Sequence, residues 1–559
     1  MRISLAQFNA SVGDIEGNLG KMRDMYTKAF AIGADVIVFP EMSVSGYPPE
    51  DLLLKKQFLI DNRSAVEQLM KDCHEMTIIV GFAEINRKGC FNSLGVLQKG
   101  QIKKIYRKSI LPNYGVFDER RYFRPGTEPV FINLNGIDAA LTICEDIWRL
   151  EWMDKLLGEI PHKDLIINIS ASPFHIGKIE QRRETLGRCA KHFNCAVAYC
   201  NLVGGQDELV FDGRSMFLDA SGNIICQAKA FEEDLLIADV SLSSDKKVQL
   251  IAVKYAAQPS SGYEITDPVS EVYASLVLGT RDYVAKNGFK KVVVGLSGGI
   301  DSALTAAISV DALGAKNVVG ITMPSKFNSP ETINDAEILA ENLDIEFYTI
   351  PIGTIVDKFS KLLKIISGWN NDGVAYENLQ ARIRGTILMS LSNQFSYLVL
   401  TTGNKSETAV GYCTLYGDTA GGFAVIKDVP KTMVYQLAEF VNRTHNHRII
   451  PASVMKRPPT AELRKGQKDT DSLPDYSLLD TILKGYIEEE KSTRQLIDEG
   501  LAQDIVNRVI HMVDFNEYKR RQSPPGVKIT PMAFGKDRRM PITNRYTHKD
   551  IAPGGKMLK

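Results

Sequence analysis

The chain has 559 residues, too many for a single hydrophobic core and enough for two or more domains of roughly 100–200 residues. Its 67 Lys and Arg balance 67 Asp and Glu, which leaves no net field to draw nucleic acid or an anionic membrane and points to small-molecule partners. Eight cysteines include no C-x-x-C, and the spacing of Cys189, Cys195 and Cys200 fits neither a zinc site nor a small secreted disulfide framework, so a reducing cytoplasm is the expected compartment. Asp14 interrupts what a signal peptide would keep apolar, and no apolar run approaches the roughly 18 residues that span a bilayer, so no membrane association is expected.

From residue 1 to about 245 short β-rich runs dominate: ISLAQF, DVIVFPE, MTIIVGFAE, AALTIC, DLIINIS and AVAYCNL. NLGKMRDMYTKAFA and GKIEQRRETLGRCAKHF are patterned as helices, and FLDASGNIICQAKA as a hairpin about Ser221-Gly222-Asn223. Alternation at a period of two between segments of period 3.6 predicts a layered α/β domain over 1–245. Residues 246–268 turn polar and loose, as a linker or arm does. Residues 269–559 then read strand KVVVGL, helix SALTAAISVDAL, strand NVVGITM, helix PETINDAEILAENL with Ser329 as cap and Pro330 in its first turn, and strand IEFYTIPI. That order predicts a doubly wound parallel sheet. A helix from Tyr376 to about Asn393 and a buried strand, YLVLTTGN, follow.

Ligands of open α/β sheets bind beyond the carboxyl ends of strands. Three residue types there make a thiol amidase: Cys144 as nucleophile, Glu41 as base and Lys108 as the cation facing the oxyanion. Singly each has an ordinary explanation: a capped surface glutamate, a solvated lysine, a small buried hydrophobe. The surrounding text, FPEMSVSGYPPEDL, KSILPNYGVFDERRYF and ICEDIW, resembles the nitrilase (carbon-nitrogen hydrolase) superfamily, in particular its amidotransferase glutaminase branch, over essentially all of 1–245. The resemblance implies an α-β-β-α sandwich in which Cys144 attacks the amide of L-glutamine. It further implies that Glu119 supports Lys108, and that Tyr114, Ser172 and Lys178 grip the substrate.

In the second half, SGGIDS follows a strand and opens a helix, so its backbone N–H groups and the Ser297 and Ser302 hydroxyls can cradle an anion. It lacks the Lys-Ser/Thr of a Walker loop and the spacing of G-x-G-x-x-G. Asp301 within the turn would repel bare phosphate, which implies a Mg2+ between carboxylate and phosphate oxygens. The motif resembles the pyrophosphate loop of N-type ATP pyrophosphatases, whose sheet is Rossmann-like (adenine nucleotide alpha hydrolase-like). By that resemblance Gly295, Ser297, Gly298, Gly299, Asp301, Ser302 and Thr402 contact ATP.

YENLQARIRGTILM, LVLTTGNKSETAVGYCTLYGDTAGGFAVIKDVPKT and NEYKRRQSPPGVKIT look like the NAD synthetases within that group. They imply that Glu407 joins Asp301 around Mg2+ and contacts deamido-NAD with Asn378 and Lys519. Arg382 and Lys431 are added because several phosphates must be neutralised in a chain of no net charge. The expected reaction is ATP-dependent amidation of deamido-NAD through an adenylate, with ammonia from glutamine passed internally. The resemblance implies no tightly bound organic cofactor and a homo-oligomer. Two alternatives stay open: an amidotransferase adenylating another carboxylic acid, and a nucleotide-sensing amidase. His445-Asn446-His447 lacks a third ligand and reads as surface; Lys519-Arg520-Arg521 reads as a phosphate clamp rather than an RNA site.

Overall fold

Val36 and Val38 face a second sheet while Ile37, between them, faces two helices. That alternation, repeated through the strands of the first half, builds the architecture. In the computed structural model the described residues are 1–72, 75–157, 163–243, 248–253, 265–370, 373–445 and 447–546. The chain divides into two units, Met1–Gly262 and Tyr263–Lys559.

In the first unit, a seven-stranded sheet runs in the order Val248–Val253, Asp234–Leu242, Arg2–Gln7, Val36–Val38, Thr77–Asn86, Gly89–Gln98, Gln101–Arg107. A six-stranded sheet runs Ile224–Gln227, Met216–Leu218, Ala196–Asn201, Leu165–Ser170, Ile137–Ile143, Phe131–Leu134. Ile3, Leu5, Ile79 and Val96 of the first pack with Leu141, Ile167 and Val197 of the second in one core. The outer faces are covered by Leu19, Met22, Val66 and Leu69 of helices Ile15–Ala31 and Lys56–Lys71 on one side. Ile179, Leu186 and Ala190 of helix Lys178–Phe193 cover the other. This is the α-β-β-α sandwich. The hairpin is present, with Phe217 opposite Cys226.

One expectation needs amending. Within the stretch read as a loose linker, Val248–Val253 is an edge strand antiparallel to Asp234–Leu242, with Val248 and Leu250 packed on the core. The alternation VQLIAV carries it, masked by the polar SSDKK ahead of it. Most of the remaining linker lies outside the described residues.

The second unit has five parallel strands in the order Glu346–Thr349, Val318–Thr322, Val292–Gly295, Leu398–Thr401, Phe423–Ala424. The order reverses at Val292–Gly295, so the crevice beyond that strand is where a doubly wound sheet binds its ligand. Helix Pro330–Asn342 starts as its sequence dictates, the Ser329 hydroxyl accepting the Thr332 N–H at 3.2 Å and Pro330 in the first turn. Helix Val374–Phe395 exceeds the expected span by two residues at each end. A helical cluster about Leu479, Ile482, Val506 and Val513 packs on Ala409 and Val410.

Candidate active sites

In the first unit Glu41, Lys108 and Cys144 each follow the end of a strand: Val36–Val38, Gln101–Arg107 and Ile137–Ile143. Lys108 is 1% exposed, and its Nζ donates to Glu41 Oε1 and to Glu119 Oε1, each at 2.8 Å. Burial would discharge this lysine, but Glu119 and Glu41 outweigh it and hold the ammonium well above its ordinary range. Glu41 also accepts from Asn92 Nδ2 at 2.7 Å and from the Ala171 N–H at 2.8 Å, so both its oxygens are fixed. Glu119 accepts the Tyr47 hydroxyl at 2.9 Å, and burial, against the pull of Lys108, pushes it up to about 7.

Cys144 opens a short 3-10 turn, Cys144–Trp148, at φ +44°. A side chain is uncommon in that region, and where one is held there the surroundings must compensate. Asp146 does so: one oxygen accepts the Ile143 N–H at 3.0 Å and the Tyr106 hydroxyl at 2.8 Å, the other the N–H groups of Ser109 and Ile110 at 3.1 and 2.8 Å. A single buried carboxylate therefore ties the cysteine turn to the segment that carries Lys108. Burial raises Asp146 to about 6 despite these donors. Burial first, then Glu41, raises the Cys144 thiol well above its ordinary range, with Lys108 opposing.

Around this centre the Tyr114 hydroxyl donates to Glu145 Oε2 at 2.9 Å. The Ser172 N–H donates to Asn201 Oδ1 at 2.9 Å, and its hydroxyl accepts from Arg182 Nη2 at 3.3 Å. Arg182 is itself paired in a fork with buried Asp212, two bonds of 3.0 Å. Lys178 Nζ stands 4.0 Å from the Trp148 ring centre. Burial and then Arg182 lower Lys178 to about 8. Sequence reasoning missed Asn92, Asp146, Arg182 and Asp212; the one local signal was Asp146 beside Cys144.

In the second unit a cavity of about 1410 Å3 opens beyond the central strands, larger than the roughly 300–1,000 Å3 of an ordinary small-molecule site. Gly295 and the turn Ser297–Ser302 line it, as does Thr402. Gly298 sits at φ +77°, where a Cβ would lie 2.1 Å from the Thr332 carbonyl oxygen, so only glycine fits. The turn is partly satisfied from within. The Ser297 N–H donates to Ser302 Oγ and the Gly299 N–H to Ser297 Oγ, both at 3.2 Å, so not every N–H counted in the sequence points outward.

Asn378, Arg382 and Lys519 also line the cavity, and all three hold one loop. Asn378 Oδ1 accepts from Thr414 Oγ1 at 2.7 Å, Arg382 Nε donates to the Leu415 carbonyl at 3.1 Å, and Lys519 Nζ donates to the carbonyls of Gly411 and Cys413 at 2.7 and 3.0 Å. Of the basic run read as a phosphate clamp, only Lys519 lines this cavity. Arg520 and Arg521 are taken up by Glu517, at 3.0 and 2.8 Å. Arg384, unremarked in the sequence, lines the cavity and donates to the Met323 carbonyl at 2.9 Å; burial lowers it to about 10.

Asp301 and Glu407 meet at Lys431, whose Nζ contacts Asp301 Oδ2 and lies 3.4 Å from Glu407 Oε1. Two carboxylates within reach of one cation are the hard oxygen donors that Mg2+ takes, and two are enough when phosphate oxygens complete its shell. No cluster of three or more acidic, His or Cys side chains suited to a metal occurs among the described residues. His445 and His447 are engaged with Asp311 and the Asn342 carbonyl, and Asn446 lies outside the described residues.

Residues 2–248 match the carbon-nitrogen hydrolase family and residues 272–523 the NAD synthase family. A glutamine-dependent NAD(+) synthetase of Thermotoga maritima is 46% identical over 572 aligned residues, covering 98% of this chain and 99% of that one. One from Aquifex aeolicus is 47% identical, covering 98% of this chain and all of the other. The structure of a glutamine-dependent NAD+ synthetase from Acinetobacter baumannii, solved with ADP, is 42% identical with a TM-score of 0.77, over 97% of this chain and 98% of that one. A Cytophaga hutchinsonii structure, 23% identical with a TM-score of 0.81, shares the fold. The chain belongs to the glutamine-dependent NAD(+) synthetase family.

Proposed function

We propose that this enzyme forms NAD from deamido-NAD, ATP and glutamine, with residues 1–245 releasing ammonia and residues 269–559 using it. The observation that carries the reading is buried Lys108 held at 2.8 Å between Glu41 and Glu119, beside a cysteine kept at positive φ. A thiol raised by burial needs a base. Glu41 takes the proton as Cys144 Sγ attacks the glutamine amide carbon, and Lys108 faces the oxyanion that forms. The proton leaves with ammonia as the C–N bond breaks, leaving a thioester. Glu41 then deprotonates water, which releases glutamate and restores the thiol. Tyr114, Ser172 and Lys178 hold the glutamine.

In the second unit the carboxylate of deamido-NAD attacks the α-phosphate of ATP and pyrophosphate leaves. The turn Ser297–Ser302 holds the departing phosphates, with no need of the lysine that serves γ-phosphoryl transfer in Walker enzymes. Asp301 and Glu407 would hold Mg2+, which supplies neutralising charge at those phosphates. Ammonia displaces AMP to give the amide. At neutral pH free ammonia is mostly ammonium and not nucleophilic, which favours an internal passage from Cys144. Thr402 and Gly295 border ATP; Asn378 and Lys519, with Arg382, position deamido-NAD through the Gly411–Leu415 loop. The enzyme acts on small molecules as a cytoplasmic homo-oligomer; no helix among the described residues is long and apolar enough to cross a membrane.

The test is a panel of carboxylic acids offered with Mg-ATP and glutamine, reading AMP. AMP should appear with deamido-NAD alone. AMP with another acid, or glutamate with no AMP for any acid, would replace this reading with the other amidotransferase or the nucleotide-sensing amidase.

A further inference from the structure

The reading above gives Asp301 and Glu407 to a metal ion, yet a cation of the chain itself already lies between them. Lys431 is 2% exposed at its side chain, and its Nζ touches both carboxylates. It is the first residue of helix Lys431–Thr444, and its N–H is fixed by Ser406 Oγ at 2.9 Å. Ser406 precedes Glu407 in helix Lys405–Val410, so the lysine and one of its carboxylates are anchored to each other through the backbone.

The second carboxylate is tied to the same assembly by Asn404, which is fully buried. Asn404 Oδ1 accepts the Glu407 N–H at 3.0 Å, and its Nδ2 donates to Asp301 Oδ1 at 2.9 Å. One asparagine thus links the two acids, and one ammonium bridges them and offsets one of their two charges. The Tyr476 ring, 5.3 Å from Nζ, closes another side of the ammonium. A divalent ion held by the same oxygens and an ammonium in contact with them repel strongly in a buried setting, so both cannot keep full contact. Phosphates arriving at the adjoining Ser297–Ser302 turn offer the lysine new anionic partners in the same cavity.

Resting on that assignment of the metal, we propose that Lys431 is a resident counter-cation that exchanges with Mg2+. It holds Asp301 and Glu407 together in the nucleotide-free enzyme and moves to phosphate oxygens when metal and nucleotide enter. Lys431 is in this sense a positioning residue that makes tight metal binding conditional on nucleotide.

The test uses the full chain and Mn2+ as a paramagnetic probe, without nucleotide, in wild type, Lys431→Met and Lys431→Arg, together with thermal melting in MgCl2. Wild type and K431R should bind Mn2+ weakly, and K431M at least tenfold more tightly. K431M should melt below wild type without metal and recover as MgCl2 is added. Equal Mn2+ affinity in wild type and K431M overturns the exchange. Tight, stoichiometric Mn2+ uptake by nucleotide-free wild type also overturns it, whether or not the variants fold. Failure of the underlying assignment reads differently: Glu407→Gln would then bind Mn2+ with ATP as well as wild type does.

Discussion

Desolvation first, then the neighbouring Arg182, lower the Lys178 ammonium to about 8, even though it stands over the Trp148 ring. A lowered lysine is charged below its pKa and neutral above it. If it pairs with the glutamine carboxylate, KM for glutamine should rise as pH passes about 8 while ammonium-dependent synthesis is unaffected. Lys178→Arg, whose guanidinium stays charged, should flatten that rise; a wild-type KM flat through pH 9 would remove Lys178 from the subsite. Glu41→Gln tests the base. Glutamine-dependent NAD formation should fall by about 10²–10⁴-fold with ammonium-dependent formation retained, as a coupled assay reads directly. Glu41 and Cys144 were legible because each ends an apolar run, and Lys108, set amid basic neighbours, because the three types complete one chemistry. Asn92 and Asp146 were not. Their partners lie up to 51 and 40 positions away, and nothing in a sequence marks an acceptor so remote.

Two turns set the chemistry at the next scale, and each depends on one residue. Asp146 accepts three N–H groups and one hydroxyl around Cys144. Asp146→Ala leaves those donors unpaired and should lower the stability of the first unit by at least about 3 kcal/mol, at about 1–3 per buried orphan, as chemical denaturation would measure. Gly298→Ala places a Cβ against the Thr332 carbonyl at a positive φ. Strain of roughly 1–3 kcal/mol should appear as lost ATP affinity by calorimetry, with glutamine hydrolysis in the absence of nucleotide unchanged. The βαβ order of the second unit was legible because Ser329 and Pro330 punctuate it and its central strands, Val292–Gly295, Val318–Thr322 and Leu398–Thr401, are mostly apolar. The hairpin from Gly89 to Arg107 was harder to see: its second strand, QIKKIYR, is largely exposed and carries little apolar signal. Val248–Val253 was lost for a similar reason, being an edge strand behind a charged run.

Across the whole molecule the balance of 67 basic and 67 acidic residues leaves phosphate binding to local devices. On the proposed reading these are a glycine turn at a helix start, a lysine over two carboxylates, and Arg384 in the cavity wall. The charge balance led the sequence reading to add Arg382 and Lys431, both of which line the cavity; it passed over Arg384 because a half-buried arginine in a helix has no distinguishing spacing. The central claim is a division of labour, ammonia made at Cys144 and spent where ATP is cleaved. Its most direct test offers Mg-ATP and deamido-NAD to wild type and Cys144→Ala, with nitrogen as glutamine or as an ammonium salt, and measures NAD, AMP and glutamate. Wild type should make NAD and AMP from both nitrogen sources, and the variant from ammonium alone, with no glutamate. NAD formed from glutamine by the variant, or glutamate without NAD in wild type, would contradict the account.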